Sequence, residues 1–252
     1  MLNALIHHWQ AYLLEALGLM VFMLGAGAFG TLFLYPGSAV AQAMPSGLTA
    51  RAGVGACMGV VTFAIVTTIG GKTGAHINPA VTWSFYRQGK IGGWDAVFYT
   101  TAQLIGACLA PVLLLAAIGR PFTHETIQYA TSQPGPGGAA LAFAAEFVIS
   151  FVLMLVILGV SNSKRFAPAL PVVVGAIIAV YITFESPLSG MSLNPARSFG
   201  SALTAGHWDG IWLYFIAPML AMLLAVDVYG LLGTRRAVNS PHYPIEKEPA
   251  HG

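Results

Sequence analysis

The sequence predicts an all-α membrane protein of six transmembrane helices plus two re-entrant half-helices, built as an inverted repeat of two three-span halves. Three observations predict it. Of 252 residues, 56% are hydrophobic and 8% are charged, and the mean hydropathy is +0.73. Ordinary soluble chains carry about 25% charged residues, so the charges here are too few to cover a globule in water. Six apolar stretches are each long enough to cross about 30 Å of hydrocarbon, roughly 20 residues. Finally, Asn-Pro-Ala occurs twice, at 78–80 and 194–196. The same composition excludes a disordered chain. The net charge of +2 is scattered and gives no basic face, so no nucleic-acid partner is expected.

The spans fall at about 9–34, 48–70, 94–118, 139–160, 168–186 and 209–232. The first is not a cleaved leader, because no Lys or Arg precedes it and its apolar run is too long. Lys72, Arg87, Lys90, Lys164, Arg165, Arg235, Arg236 and Lys247 all follow even-numbered spans, against Arg51 and Arg120 on the other side. Basic loops stay in the cytoplasm, so both termini are expected there, in a multi-pass protein of the cell membrane. Trp9, Trp94, Trp208 and Trp212 lie near span ends, where indole prefers the interface. Small residues at helical spacing, among them Gly55 and Gly59, Ala102 and Gly106, Gly175 and Ala179, and Ala217, Ala221 and Ala225, predict seams where helices approach closely. Cys57 and Cys108 read as small buried hydrophobes. The tail after Gly233 is polar and expected to be mobile.

Residues 74–82 read Gly-Ala-His-Ile-Asn-Pro-Ala-Val-Thr and residues 190–198 read Gly-Met-Ser-Leu-Asn-Pro-Ala-Arg-Ser. Glu15 pairs with Glu146, and Tyr99 with Tyr214, so the whole half-chain is duplicated. The resulting boundaries are 1–118, a connection at 119–138 on the outer side, 139–234, and a cytoplasmic tail at 235–252. Each half has three spans, so the second half is inverted in the membrane. Its motif loop then re-enters from the face opposite to the first. Non-helical backbone at membrane depth requires a water-filled cavity or protein around it.

Asn is a preferred N-cap and Pro a preferred first helical residue, so short helices are expected from Pro79 to about Gln88 and from Pro195 to about Ala205. A ten-residue helix rises about 15 Å, half the hydrocarbon thickness. The two N-termini therefore meet near the midplane, each carrying about half a positive charge. Cations and hydronium are repelled there. With their oxygens used as caps, the Asn78 and Asn194 amides have N–H donors left for a passing water, which must turn its own hydrogens outward. Such a point passes water and interrupts a proton relay.

These residues resemble the aquaporin or major intrinsic protein family over about 9–232. The resemblance implies one pore per subunit, a homotetramer in the bilayer, and neither cofactor nor metal. It places Gly74, Ala75, His76, Gly190 and Ser192 along the pore through their backbone. It assigns an outer constriction to Arg197, Met58, Ile182 and Met191, where the water-selective ring has Phe and His in place of Met58 and Ile182. Ser198 and Ala202, where the glycerol branch has Asp and a basic residue, and Tyr214-Phe215 before Pro218, point to the water branch. Glu15 and Glu146 are expected to accept hydrogen bonds from the loops, with proton relay as the alternative. His76 is expected to be satisfied by a nearby carbonyl. The expected function is a passive water channel that excludes protons and ions. The alternatives are a broader channel for glycerol, urea, ammonia or hydrogen peroxide, and a proton-coupled secondary transporter. No solvent-facing segment carries an enzymatic grouping.

Overall fold

Six helices have the length and apolarity to cross a membrane in the computed structural model, which describes residues 1–232. Helix α1 (Leu2–Leu34) is followed by a short α2 (Ala39–Ala43), α3 (Gly47–Thr73) and the half-helix α4 (Pro79–Arg87). Then come α5 (Gly93–Ile118), the single turn α6 (Arg120–Thr123) and α7 (Gly138–Ser161). The second half continues with α8 (Leu170–Phe184), the turn α9 (Ser186–Ser189), the half-helix α10 (Pro195–Ala205) and α11 (Ile211–Leu231). Residues beyond 232, including Arg235, Arg236 and Lys247 and with them the expected cytoplasmic tail, lie outside the described residues.

Helix α1 starts seven residues before its apolar stretch. Asn3, His7 and His8 favour water but do not break a helix, so the helix projects beyond the apolar window. It is tied there to α5, because Asp95 accepts hydrogen bonds at His8 Nδ1 (2.8 Å) and from Tyr12 Oη (2.5 Å). The fifth span ends at Phe184, two residues short of the expected limit, and the chain turns through α9 instead.

The small-residue seams are contacts where no side chain fits. A Cβ on Gly59 would lie 2.8 Å from Gly175 O, and one on Gly175 would lie 2.6 Å from Gly59 O. Those glycines occupy equivalent places in the two halves, so α3 and α8 meet reciprocally, as elements across a two-fold axis do. A Cβ on Gly106 would be 2.0 Å from Ala16 O, which seats α5 on α1, and one on Gly200 would be 2.2 Å from Ala107 O, which seats α10 on α5. Large apolar residues such as Val60, Ile105 and Val148 are more than half exposed, as expected of a surface that meets lipid.

Candidate functional site

Asn78 and Asn194 cap the two half-helices as expected. Asn78 Oδ1 accepts from Ala80 N at 2.8 Å, and Asn194 Oδ1 accepts from Ala196 N at 3.0 Å and Arg197 N at 3.2 Å. Their amide nitrogens differ from expectation. Asn78 Nδ2 donates to Leu193 O at 2.8 Å and Asn194 Nδ2 donates to Ile77 O at 2.7 Å, so each motif grips the other loop's backbone. An amide nitrogen has two hydrogens, so one donor per asparagine remains for a solute. The sequence could not show this crossing, because it depends on how close the loops come.

The loops share one backbone pattern. Gly74, Ala75 and Ile77 have φ of 85°, 48° and 40°, and Gly190, Met191 and Leu193 have φ of 79°, 50° and 60°. Left-handed backbone costs about 1–2 kcal/mol at a residue with a Cβ, so the neighbourhood must hold four such residues in place. The paired glutamates do this. Glu15 accepts from Thr73 Oγ1 (2.7 Å), His76 N (3.0 Å), Ile77 N (2.5 Å) and Gln103 Nε2 (2.9 Å). Glu146 accepts from Ser189 Oγ (2.8 Å), Ser192 N (2.6 Å) and Leu193 N (2.8 Å). Both carboxylates are fully buried. Tyr99 Oη donates to Thr73 O at 3.0 Å and Tyr214 Oη to Ser189 O at 2.6 Å, so the tyrosine pair fastens the ends of the same loops. Thr73, Ser189 and Thr82 were not singled out by motif reading, and Ser198 was singled out only for the residue it replaces in the glycerol branch. The repeat offset that pairs the asparagines also pairs Thr73 with Ser189 and Thr82 with Ser198, and was the signal available.

His76 bonds a hydroxyl, where a carbonyl was expected. Its Nδ1 lies 3.1 Å from Thr82 Oγ1, and the ring stacks on Phe85 at 4.8 Å. Thr82 Oγ1 donates to Asn78 O (3.1 Å) and accepts from Gln103 Nε2 (3.1 Å), so His76 Nδ1 carries the hydrogen of this contact.

A cavity of about 270 Å³ runs beside the two loops. Phe22, Val66, Leu153, Ile157, Val174 and Ile178 form its apolar wall, while residues 74–78 and 191–194 form a polar strip. Gly74, Ala75, His76, Ser192 and Met191 are on that lining. Gly190 is not: a Cβ there would lie 2.9 Å from Gln133 N, because the glycine packs against the 132–133 backbone. Met58, Ile182 and Arg197 are also absent from the lining. Met58 is fully buried, with its sulfur 3.2 Å from where a Cβ on Gly25 would stand, and it clusters with Met191, Ile178 and Ile182, of which Met191 and Ile178 are on the lining. Arg197 is 8% exposed and its Nη1 donates to Ser132 Oγ. Among the described residues it forms no ion pair with a carboxylate.

Glu185, just past the fifth span, was not singled out. Ser189 has one hydrogen, yet its Oγ contacts both Glu146 Oε1 and Glu185 Oε1. Glu146 already accepts two backbone N–H groups, so the second hydrogen belongs on Glu185. Burial, reinforced by the negative charge of Glu146, pushes the Glu185 carboxyl up to about 7.

Six spanning helices and two half-helices meeting tip to tip beside a cavity define a membrane channel. A model of the major intrinsic protein family matches residues 3–229, and the chain belongs to that family, whose members are channels and not enzymes. It is similar to aquaporin NIP1-2 of Oryza sativa subsp. japonica, at 33% identity over 90% of this chain and 75% of that protein. It is similar also to nodulin-26 of Glycine max, at 33% identity over 71% of this chain and 65% of that protein. The X-ray structure of the aquaglyceroporin from Plasmodium falciparum shares the fold, with a TM-score of 0.76 at 22% identity over 88% of this chain and 95% of that one.

Proposed function

We propose that this channel conducts water passively and excludes protons and ions, with Asn78 and Asn194 at its midplane. The crossed amides carry the reading. Each asparagine keeps one N–H beside a helix N-terminus, so a water oxygen held between them has its hydrogens turned away from both. Cations are disfavoured there by two positive helix ends. In this reading Arg197, Met58, Ile182 and Met191 form the outer constriction, Glu15 and Glu146 support the loops, and the two halves are 1–118 and 139–234. Lys72, Arg87, Lys90, Lys164 and Arg165 put both termini in the cytoplasm of a cell-membrane protein, and the family resemblance supports a homotetramer.

A second reading, a broader channel for small neutral solutes, is favoured by the constriction residues. Met58 and Ile182 offer neither a rigid ring nor an imidazole, and methionine yields to a wider solute. An apolar ring also gives a polyol few replacements for its lost hydration. We therefore expect high water flux, measurable ammonia or hydrogen peroxide flux and weak glycerol flux. Stopped-flow measurements on proteoliposomes test this solute by solute. Met58→Phe with Ile182→His is expected to reduce the ammonia and peroxide fluxes and spare water. Water flux no faster than in empty vesicles overturns the first reading, and flux that follows an imposed proton gradient favours a coupled transporter.

A further inference from the structure

Ser132 stands in the connection between the halves, which neither motif reaches. It is 6% exposed and buried against both Arg197 and Ser198. Hydrogens can be counted through this contact. A guanidinium only donates, so Ser132 Oγ accepts from Arg197 Nη1 and passes its own hydrogen on. Ser198 Oγ lies 2.7 Å away and Ser192 Oγ lies 2.5 Å beyond that. Ser192 Oγ donates to Asn194 O at 3.0 Å. With one hydrogen per hydroxyl, the chain runs in one direction: Arg197 to Ser132, Ser198, Ser192 and the Asn194 carbonyl.

The connection is shaped to hold Ser132 there. Gln128, Tyr129 and Ala130 have φ of 46°, 58° and 55°, a left-handed turn of three residues that each carry a Cβ. After it, Gly135 N donates to Leu188 O at 2.9 Å, and a Cβ on Gly135 would lie 1.9 Å from Pro187 O. This clamps the segment onto α9, next to the second motif loop. The first half has the inner part of the chain alone: His76 bonds Thr82 and Thr82 bonds Asn78 O, while Val81 stands in the place of Arg197. The serine from the connection is therefore specific to the half that carries a cation.

We propose that Ser132 is a positioning residue for Arg197 and sets the solute cut-off of the outer constriction by fixing where the guanidinium lies. The proposal rests on reading Arg197 as part of that constriction. Without the hydroxyl, the guanidinium loses its acceptor in the connection and swings away, which widens the passage without altering the midplane asparagines.

The test is the glycerol-to-water permeability ratio in proteoliposomes for wild type, Ser132→Ala, Ser132→Thr and Ser198→Ala, with Ser132→Ala repeated in an Arg197→Ala background. Ser132→Ala is expected to raise the ratio by up to about tenfold, which corresponds to about 1.4 kcal/mol. Ser132→Thr, which keeps the hydroxyl, is expected to stay near the wild-type ratio. Ser198→Ala, which breaks the chain one link further in, is expected to raise it by less. In the Arg197→Ala background the Ser132 substitution is expected to add nothing, since coupled positions are not additive. An unchanged ratio in folded Ser132→Ala protein, or an equal increase with and without Arg197, overturns the proposal. If Ser132→Ala does not fold, an unchanged ratio in Ser198→Ala overturns it. Absence of water flux in the wild type defeats the channel reading instead, so the two failures are distinct.

Discussion

Replacing Glu15 by leucine removes an acceptor that serves four donors at once, and the cost can be worked from the structure. Thr73 Oγ1 has Ile69 O as a fallback at 3.4 Å, and Gln103 Nε2 has Thr82 Oγ1 at 3.1 Å. The His76 and Ile77 N–H groups have no such substitute, because their left-handed neighbours aim them at the carboxylate. An orphaned buried donor costs about 1–3 kcal/mol, so two give roughly 2–6 kcal/mol before the lost hydroxyl and amide contacts are added. That is a large share of the roughly 5–15 kcal/mol by which a domain is stable. Glutamine is milder. Its oxygen can serve Thr73 and His76, and its NH₂ can face Gln103 once that amide flips to present Oε1, which has no partner among the described residues. The Ile77 N–H is left unpaired, about 1–3 kcal/mol, and the flip also gives up the Gln103–Thr82 hydrogen bond. The expected order in detergent thermal melts and in folded yield is wild type, then Glu15→Gln, then Glu15→Leu, with water flux per folded Glu15→Gln channel largely kept. A Glu15→Leu protein that melts with the wild type refutes the supporting role, and loss of flux in well-folded Glu15→Gln points to proton relay.

Asn78→Asp or Asn194→Asp removes the N–H that crosses to the other loop and sets an acid at two helix N-termini, so lower water flux and a new cation leak are expected in stopped-flow and cation-flux assays. Normal flux with intact exclusion in both variants contradicts the midplane placement. Gly106→Ala puts a Cβ 2.0 Å from Ala16 O and is expected to lower the melting temperature or prevent folding, whereas Gly159→Ala, with open space at its Cβ, is expected to stabilise α7 by about 0.5–1 kcal/mol. The raised carboxyl of Glu185 favours the folded state in its neutral form, so its contribution is complete below about pH 4.5 and is lost as pH rises through about 7. Melting temperature is therefore expected to fall between pH 5 and 8, less steeply in Glu185→Gln, and equal slopes in the two proteins refute the assignment.

The spans and half-helices are legible because they depend on quantities a sequence carries directly: length of apolar run, the Asn-Pro pair and the repeat offset. The spanning helices are apolar on every side, so their pattern does not say which face meets lipid. Met58 and Ile182 therefore look like any core residues, and only the family resemblance sets them apart. Gly190 is a different case. Its motif position suggested the lining, but its role is fixed by the connection that packs on it, and that connection has no motif. Ser132 and Glu185 were illegible for the same reason, since each matters through a residue far away in sequence.

Comparing the halves separates scaffold from selectivity. What repeats is backbone support: the glutamates, the asparagine caps, the tyrosine hydroxyls, and Thr73 against Ser189. What does not repeat includes residues of the lining and of the proposed constriction. Val81 stands against Arg197 and His76 against Ser192. A symmetric pair of loops can hold a solute at the centre but cannot discriminate differently at its two mouths. Discrimination requires a charge at one end alone, and a single buried guanidinium needs its own acceptor. Among the described residues neither repeat supplies one. The connection between them is the segment free to do so, which is why its left-handed turn and its clamp to α9 bring Ser132 to Arg197.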